Sequence, residues 1–430
     1  MKYQGFSEKF DAVFLAYHEV DITPKKAVHT IGFGRGDEES KGVLHRLFAQ
    51  ISLWKYQEEI CCLVTIDHIG FSKSHGAALR SAIGDLLGVG MEKVMLCFSH
   101  THAAPNDSLE KEYAEFVDEE IKKAVILAQK HWIPIKGAWG NAYGDIGLNR
   151  RAESKALDRR IGIFKAVDPE SGALKLLLLR LTAHANVLKA DNYLISSDYV
   201  GAVRDALQKR FDCPVMVTQG ASGNVAPKFF SSVLTPPDAS DARFVRAENA
   251  LSLMAEEVLG QVEKVIDSIQ PIDLRRLKMY SAHIDLYADI LDYKRAVEIV
   301  QEAKQYAGID GTLWLAEVRR LQTEGIKTQR DTAEMQYFSM GNGCLCGVAN
   351  EIMCEFALRA QELTGNQYFY FGGYTNSCGG YFPTEEEYDK GGYEVYWCML
   401  IFYIYYGRVF PLNRNASTLL IQAVVENILI

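Results

Sequence analysis

At 430 residues, with 48% hydrophobic and 23% charged side chains, the chain has ordinary globular composition, with enough apolar surface for a large core and no compositional sign of long disordered tracts. A net charge of −9 argues against nucleic acid as the main partner, because phosphate binding rests on clustered Lys and Arg. Nine cysteines, an odd number scattered through apolar segments, fit a reduced compartment better than a disulfide framework.

Residues 1–10 lack the continuous apolar core of an export signal, so a cytoplasmic location is expected. Gly32-Phe33-Gly34-Arg35-Gly36 is a weak dinucleotide signature, without the full glycine spacing or a clear following helix. Apolar runs predict strands at 61–66 and 93–98 with a helix over 76–87 between them, then a helix over 109–131. Residues 161–166 and 173–181 read as a hairpin around Asp168-Pro169-Glu170-Ser171-Gly172. Asp198 is a plausible N-cap for a helix over 199–211, followed by a strand over 214–218. Residues 240–325 read as mainly helical, interrupted by a strand-like segment around 277–286. Strand, helix and strand follow at 335–339, 351–363 and 368–371, with a loop over 343–350 and Glu351 in the first turn of its helix. The aromatic run 395–406 falls far short of the roughly 20 residues that cross a bilayer, so a buried helix and no membrane partner are expected. The alternation predicts an α/β fold, a mixed β-sheet core flanked by helices, as a single domain over 1–430 with a mainly helical insertion at about 240–330.

The most informative segment is Ser99-His100-Thr101-His102, directly after the run 94–98. Two histidines two apart on extended backbone project to one face, and two imidazoles opening into one pocket are a common start to a zinc site. A turn in which both rings merely make hydrogen bonds is the alternative. Cys344 and Cys346 form a lone Cys-x-Cys without a second pair, which reads as buried thiols rather than a zinc ribbon.

Further motifs follow in order: Leu148-Asn149-Arg150-Arg151, the block from His184 to Asn192 with Ser196-Ser197-Asp198, Asn350-Glu351, and Gly380-Tyr381 before Thr384-Glu385-Glu386-Glu387-Tyr388. Together with the His-x-His segment, this series resembles the neutral/alkaline non-lysosomal ceramidase family over most of the chain. The resemblance implies zinc held by His100, His184, Glu351 and Tyr381. It implies that His102 acts beside the metal as proton donor or oxyanion stabiliser and that Arg150 binds negative charge, with an exposed surface arginine the competing reading. Glu355, one turn beyond Glu351 on the expected helix, reads as a support for the site, a general base or a solvated helix residue.

The family's active serine lies in a Gly-Asp/Asn-x-Ser-Pro motif, and the matching segment is Gly223-Asn224-Val225-Ala226-Pro227. The methyl group of Ala226 neither attacks nor donates a hydrogen bond, so ceramide cleavage through that hydroxyl is closed to this chain. Ser222 would need a different loop path to substitute. The backbone from Gly220 through Ser222 and Gly223 to Asn224 is the candidate for oxyanion-stabilising donors around the substrate. The chain resembles short bacterial members without a secretion signal or an appended C-terminal β-domain, and hence a cytoplasmic enzyme with a small soluble substrate. The expected function is a zinc-dependent hydrolase cleaving an amide or ester through metal-bound water. The alternatives are a metal-dependent lyase or isomerase acting on a sugar acid or hydroxy compound, and a non-catalytic metal-stabilised binding protein.

Overall fold

The computed structural model describes residues 11–35, 38–151, 153–229 and 247–429. The stretch read for an export signal, the last residue of the Gly32–Gly36 motif and the first residues of the helical segment expected from 240 lie outside them.

Eight strands form a mixed sheet in the order Val215–Gln219, Leu174–Leu181, Arg160–Val167, Ile133–Tyr143, Val13–Asp21, Phe48–Tyr56, Glu59–Ile66, Val94–Phe98. Only the outermost pair at each edge runs parallel; the strands between pair antiparallel. A second sheet of four runs Leu277–Asp289, Thr328–Met340, Gly343–Gly347, Phe369–Gly372. The run Leu176-Leu177-Leu178-Leu179 shows how the sheets stack. Leu176 and Leu178 join Trp54, Phe164, Phe338 and Tyr370 in a core shared by the two sheets. Leu177 and Leu179 point the other way, to Val203 and Leu207 of the helix Asp198–Phe211 and to Val258 of the helix Ala247–Val265. Side chains alternate across a strand, so a strand buried on both faces is apolar throughout rather than every second residue. Helices Lys73–Leu87 and Lys111–Ala128 cover the rest of the outer face. Helices Cys354–Thr364 and Ala416–Glu426 cover the free face of the second sheet, giving a layered helix, sheet, sheet, helix sandwich of the α/β class.

The expected strands and hairpin are present, with ends displaced by no more than three residues except at 335–339, where the strand Thr328–Met340 begins seven residues earlier. Four local readings change, and the strand-like segment expected around 277–286 is present and longer. The loop expected over 343–350 contains the strand Gly343–Gly347, and the segment around 277 is a 13-residue strand paired along its length with Thr328–Met340. The mainly helical stretch thus also supplies an edge of the second sheet, with helices Tyr293–Ala307 and Thr312–Thr323 packed beside it. Asp198 is not an N-cap: it is the first helical residue, and its carboxylate accepts the amides of Val187 and Leu188 at 3.1 and 3.0 Å, which pins the loop after His184. Glu351 is not helical either. Its amide donates to the Gly380 carbonyl at 2.9 Å, in a two-residue strand Glu351–Ile352 beside Tyr381–Phe382, and the helix begins at Cys354. The aromatic run near 400 is a π-helical turn, Tyr393–Trp397, leading into the helix Cys398–Tyr406. That helix is only half buried: Leu400 faces the core while Ile404 is 72% exposed.

All nine cysteines are free, eight of them buried, and Cys344 and Cys346 lie on a strand of the second sheet. No helix among the described residues is long and apolar enough to cross a membrane.

Candidate functional site

The strand Val94–Phe98 ends where its hydrogen bonding passes to other partners: the Phe98 amide donates to Tyr374 O, Ser99 to Ile66 O and His100 to His68 O. His100 adopts φ +59°, in the left-handed region, so the segment is a turn rather than the extended backbone that its spacing suggests. The two imidazoles still share one space, with ring centroids 5.1 Å apart, because the turn folds His102 back over His100. His184 follows the strand Leu174–Leu181, second from the opposite edge of the sheet, and arrives from the other side, its centroid 4.7 Å from His100 and 5.0 Å from His102.

Glu351 completes the cluster. Its Oε2 lies 3.2 Å from Nε2 of His100 and 3.7 Å from Nε2 of His184, while Nε2 of His184 lies 3.1 Å from Nε2 of His102. Nδ1 of His100 is 2.6 Å from the Ile69 carbonyl, and Nδ1 of His184 is 3.3 Å from the Ser222 carbonyl. A carbonyl oxygen only accepts, so both Nδ1 atoms carry protons and both Nε2 atoms present lone pairs inward. The Glu351 Oε2 that they face is buried and has no hydrogen-bond partner. Lone pairs converging on an orphan carboxylate oxygen repel unless a cation lies among them. Separations of 3.1–3.7 Å match the roughly 3.3 Å between ligands around a tetrahedral cation with bonds of about 2.0–2.1 Å. His100, His102 and His184 form the one such cluster among the described residues, and with Glu351 their donor chemistry fits a divalent cation of the zinc type. Burial, with Arg150 and the other two histidines, holds the His184 imidazole well below its usual pKa and hence neutral, as a metal ligand must be.

Tyr381 sits beside Glu351 in the two-strand pairing, and its phenol oxygen accepts from Nη1 of Arg150 at 3.1 Å. Burial and the Glu351 charge push the Tyr381 pKa well above its usual value, so the phenol keeps its proton. Arg150 is not a surface arginine: its guanidinium also meets Glu394 at 3.2 Å, and its backbone amide donates to the Asn224 carbonyl at 2.7 Å. His102 packs against Gly32, whose φ is +102° and where a Cβ would come within 2.5 Å of the imidazole. Phe33 meets the same ring edge-on at 4.9 Å, so the glycine motif near the N-terminus serves to seat His102. Nδ1 of His102 is buried without a hydrogen-bond partner.

Above the cluster opens a cavity of about 110 Å³. His100, His102 and Glu351 line it together with Ser72, Asp107 and the rings of Tyr393 and Tyr406. Glu355 does not line this cavity. Its carboxylate accepts from Nδ2 of Asn224 at 2.8 Å and from Ser154 at 3.4 Å, because the helix starts at Cys354 and turns residue 355 away from Glu351. The loop from 220 is likewise behind the histidines rather than over the substrate space. The Gly220 amide donates to Leu181 O at 2.6 Å and the Gly223 amide to Ile352 O at 2.9 Å, so these two amides are committed to backbone and not offered to an oxyanion. Asn224 braces the start of the following helix through Oδ1, which accepts from the Cys354 amide at 2.8 Å. Ala226 lies in a short strand, Val225–Pro227, paired with Leu148.

Sequence reading missed Tyr374, which packs on His100 with centroids 4.4 Å apart and places its hydroxyl 3.5 Å from Nδ1 of His184. Its one sequence signal is position, three residues past the strand-like run 368–371, where open sheets place their chemistry.

A scan against protein-family models finds no match, and a search of curated proteins finds none either. Two solved structures share the architecture. A neutral ceramidase from Pseudomonas aeruginosa superposes with a TM-score of 0.71 at 16% sequence identity, covering 96% of this chain and 73% of that one. A ceramidase complexed with C2 gives a TM-score of 0.72 at 16% identity, covering 96% of this chain and 74% of that one. The chain therefore has a ceramidase-like fold.

Proposed function

We propose that this ceramidase-like chain is a zinc-dependent hydrolase that cleaves an amide or ester bond in a small substrate with water as the nucleophile. The observation that carries the reading is the convergence of His100, His184 and the unpartnered Glu351 oxygen beside a cavity that His100 and Glu351 line. The structural neighbours named as ceramidases favour hydrolysis over other metal chemistry. A divalent cation at these donors supplies a Lewis acid that acidifies water towards neutral pH and polarises a carbonyl. His100, His184, Glu351 and Tyr381 would hold it. His102, whose Nδ1 has no protein partner, would carry a proton to the leaving group. Arg150 orients the Tyr381 phenol and brings positive charge towards the developing oxyanion, partly offset by Glu394.

Ala226, which the resemblance sets at the family's serine, supports water rather than a side chain as nucleophile and argues against ceramide itself as the substrate. A cytoplasmic setting with a small soluble substrate belongs to the same proposal. The lyase or isomerase alternative lent proton transfer to Glu355 or His102, and Glu355 is occupied by Asn224 outside the cavity.

The test is elemental analysis of protein purified without chelator, followed by turnover of amides, esters and lactones in water enriched in heavy oxygen. The expected result is near-stoichiometric zinc, lost in His100→Ala and Glu351→Ala, and one heavy oxygen in the acid product. A folded wild type that takes up no zinc, or turnover without label, overturns the proposal.

A further inference from the structure

Two bulky residues of the cluster hold left-handed backbone, His100 at φ +59° and Tyr374 at φ +56°. Such conformations persist only where the surroundings impose them, and they concentrate at functional sites. The imposing contacts are on both sides of Tyr374. Its carbonyl accepts the Phe98 amide at 3.0 Å, and two residues on the Asn376 amide donates to Leu96 O at 2.8 Å, so 374–376 is sewn along the end of the strand Val94–Phe98. That stitching delivers the Tyr374 ring to His100, with centroids 4.4 Å apart, and its hydroxyl to Nδ1 of His184 at 3.5 Å. Ser222 stands behind, its hydroxyl donating to the Tyr374 oxygen at 3.0 Å. Neither residue lines the cavity, and both are buried. The Nδ1 proton of His184 is also shared with the Ser222 carbonyl at 3.3 Å, so two long contacts together, rather than one short one, hold the ring.

We propose that Tyr374, backed by Ser222, is a positioning residue: its ring supports His100 and its hydroxyl accepts from Nδ1 of His184, keeping both Nε2 atoms aimed at Glu351. What the aimed nitrogens hold rests on the metal-centre reading; the aiming does not. The pair thus plays the outer part that orients ligating imidazoles and fixes their tautomer.

The test compares wild type with Tyr374→Phe, which keeps the ring and removes the hydroxyl, and with Ser222→Ala, which removes the hydroxyl behind it. Zinc affinity is read by competition with a chromophoric chelator, and the His184 tautomer by nitrogen-15 NMR of the metal-free protein. In wild type we expect a single tautomer protonated at Nδ1. In Tyr374→Phe we expect a mixture of tautomers and a loss of about 10–100-fold in zinc affinity, with a smaller change of the same sign in Ser222→Ala. The tautomer decides: a His184 signal in Tyr374→Phe identical to wild type overturns the proposal, whatever the affinity. If Tyr374→Phe fails to fold, Ser222→Ala is judged by the same criterion. A wild type that binds no zinc defeats the metal-centre reading separately, and the tautomer comparison still passes or fails the positioning claim.

Discussion

Glu355 and Glu351 lie four residues apart yet have different surroundings, and the difference is set by where one helix begins. Because the Cys354 amide is capped by Asn224, Glu351 stays in a strand facing the histidines while Glu355 turns towards Asn224 and Ser154. Replacing Glu355 with Ala is therefore expected to leave bound zinc and the pH profile of turnover unchanged while destabilising the fold by about 1–2 kcal/mol, the cost of an unmet buried donor on Asn224. Chemical denaturation beside metal analysis checks this, and loss of turnover in a folded, metal-bound variant would restore Glu355 as a base. The His-x-His segment was legible by itself, as two imidazoles directly after an apolar run, whereas His184, Glu351 and Tyr381 were legible only through the resemblance to the ceramidase family. Tyr374 was not, being one of 22 tyrosines whose role depends on a stitch between residues 98 and 374 that no local pattern encodes.

Elements meet the site through a few charged joints. His75 on the helix Lys73–Leu87 bonds Asp107 through Nδ1 at 3.0 Å and Asp118, on the helix Lys111–Ala128, through Nε2 at 2.9 Å. Burial opposes the charge, but the two carboxylates prevail and raise the His75 pKa to about 9. A histidine raised above its unfolded value of about 6.5 stabilises fully below that pH and loses the contribution as pH climbs to 9. Wild type should thus lose at most about 3 kcal/mol between pH 6.5 and pH 9 through this group, and His75→Gln should flatten that slope. Denaturant midpoints across the window measure it. The same scale shows what periodicity reveals. The strand Leu174–Leu181 was readable as buried, but not that one face meets a second sheet and the other meets helices. Leu178→Ala, between the sheets, and Leu177→Ala, under the helices, are each expected to cost about 2–5 kcal/mol, where a one-sided strand would show a single sensitive position. The strand Gly343–Gly347 escaped notice because it is five residues long and a glycine stands at each end; its pairing with Thr328–Met340 and Phe369–Gly372 supplies what the sequence lacks.

Across the whole molecule, the candidate centre lies on the seam between the two sheets. His100, His102 and His184 come from ends of the eight-stranded sheet, whereas Glu351, Tyr374 and Tyr381 come from segments around the four-stranded one. A ligand that binds only this assembled arrangement stabilises the fold by mass action, so zinc at a hundred times its dissociation constant should add about 2.7 kcal/mol. Calorimetric scans with and without zinc should show the gain in wild type and none in His100→Ala. A buried joint holds the same seam: Arg80 of the helix Lys73–Leu87 forks onto Glu334 of the second sheet at 2.7 and 2.8 Å, and Asn376 bonds Gln336 at 2.6 Å. Fold class was legible from alternating strand and helix patterns, but the packing of one sheet on the other depends on partners far apart in sequence and was not.

The division of donors across that seam also has a temporal side. A ribosome releases residues 100, 102 and 184 long before residue 351, so the growing chain displays three imidazoles while the carboxylate that joins them is still unmade. The cluster can close only after some four-fifths of the polypeptide has been synthesised and the later sheet has docked, so under the proposed function metal loading would be a late step of maturation and a report that both halves have found each other.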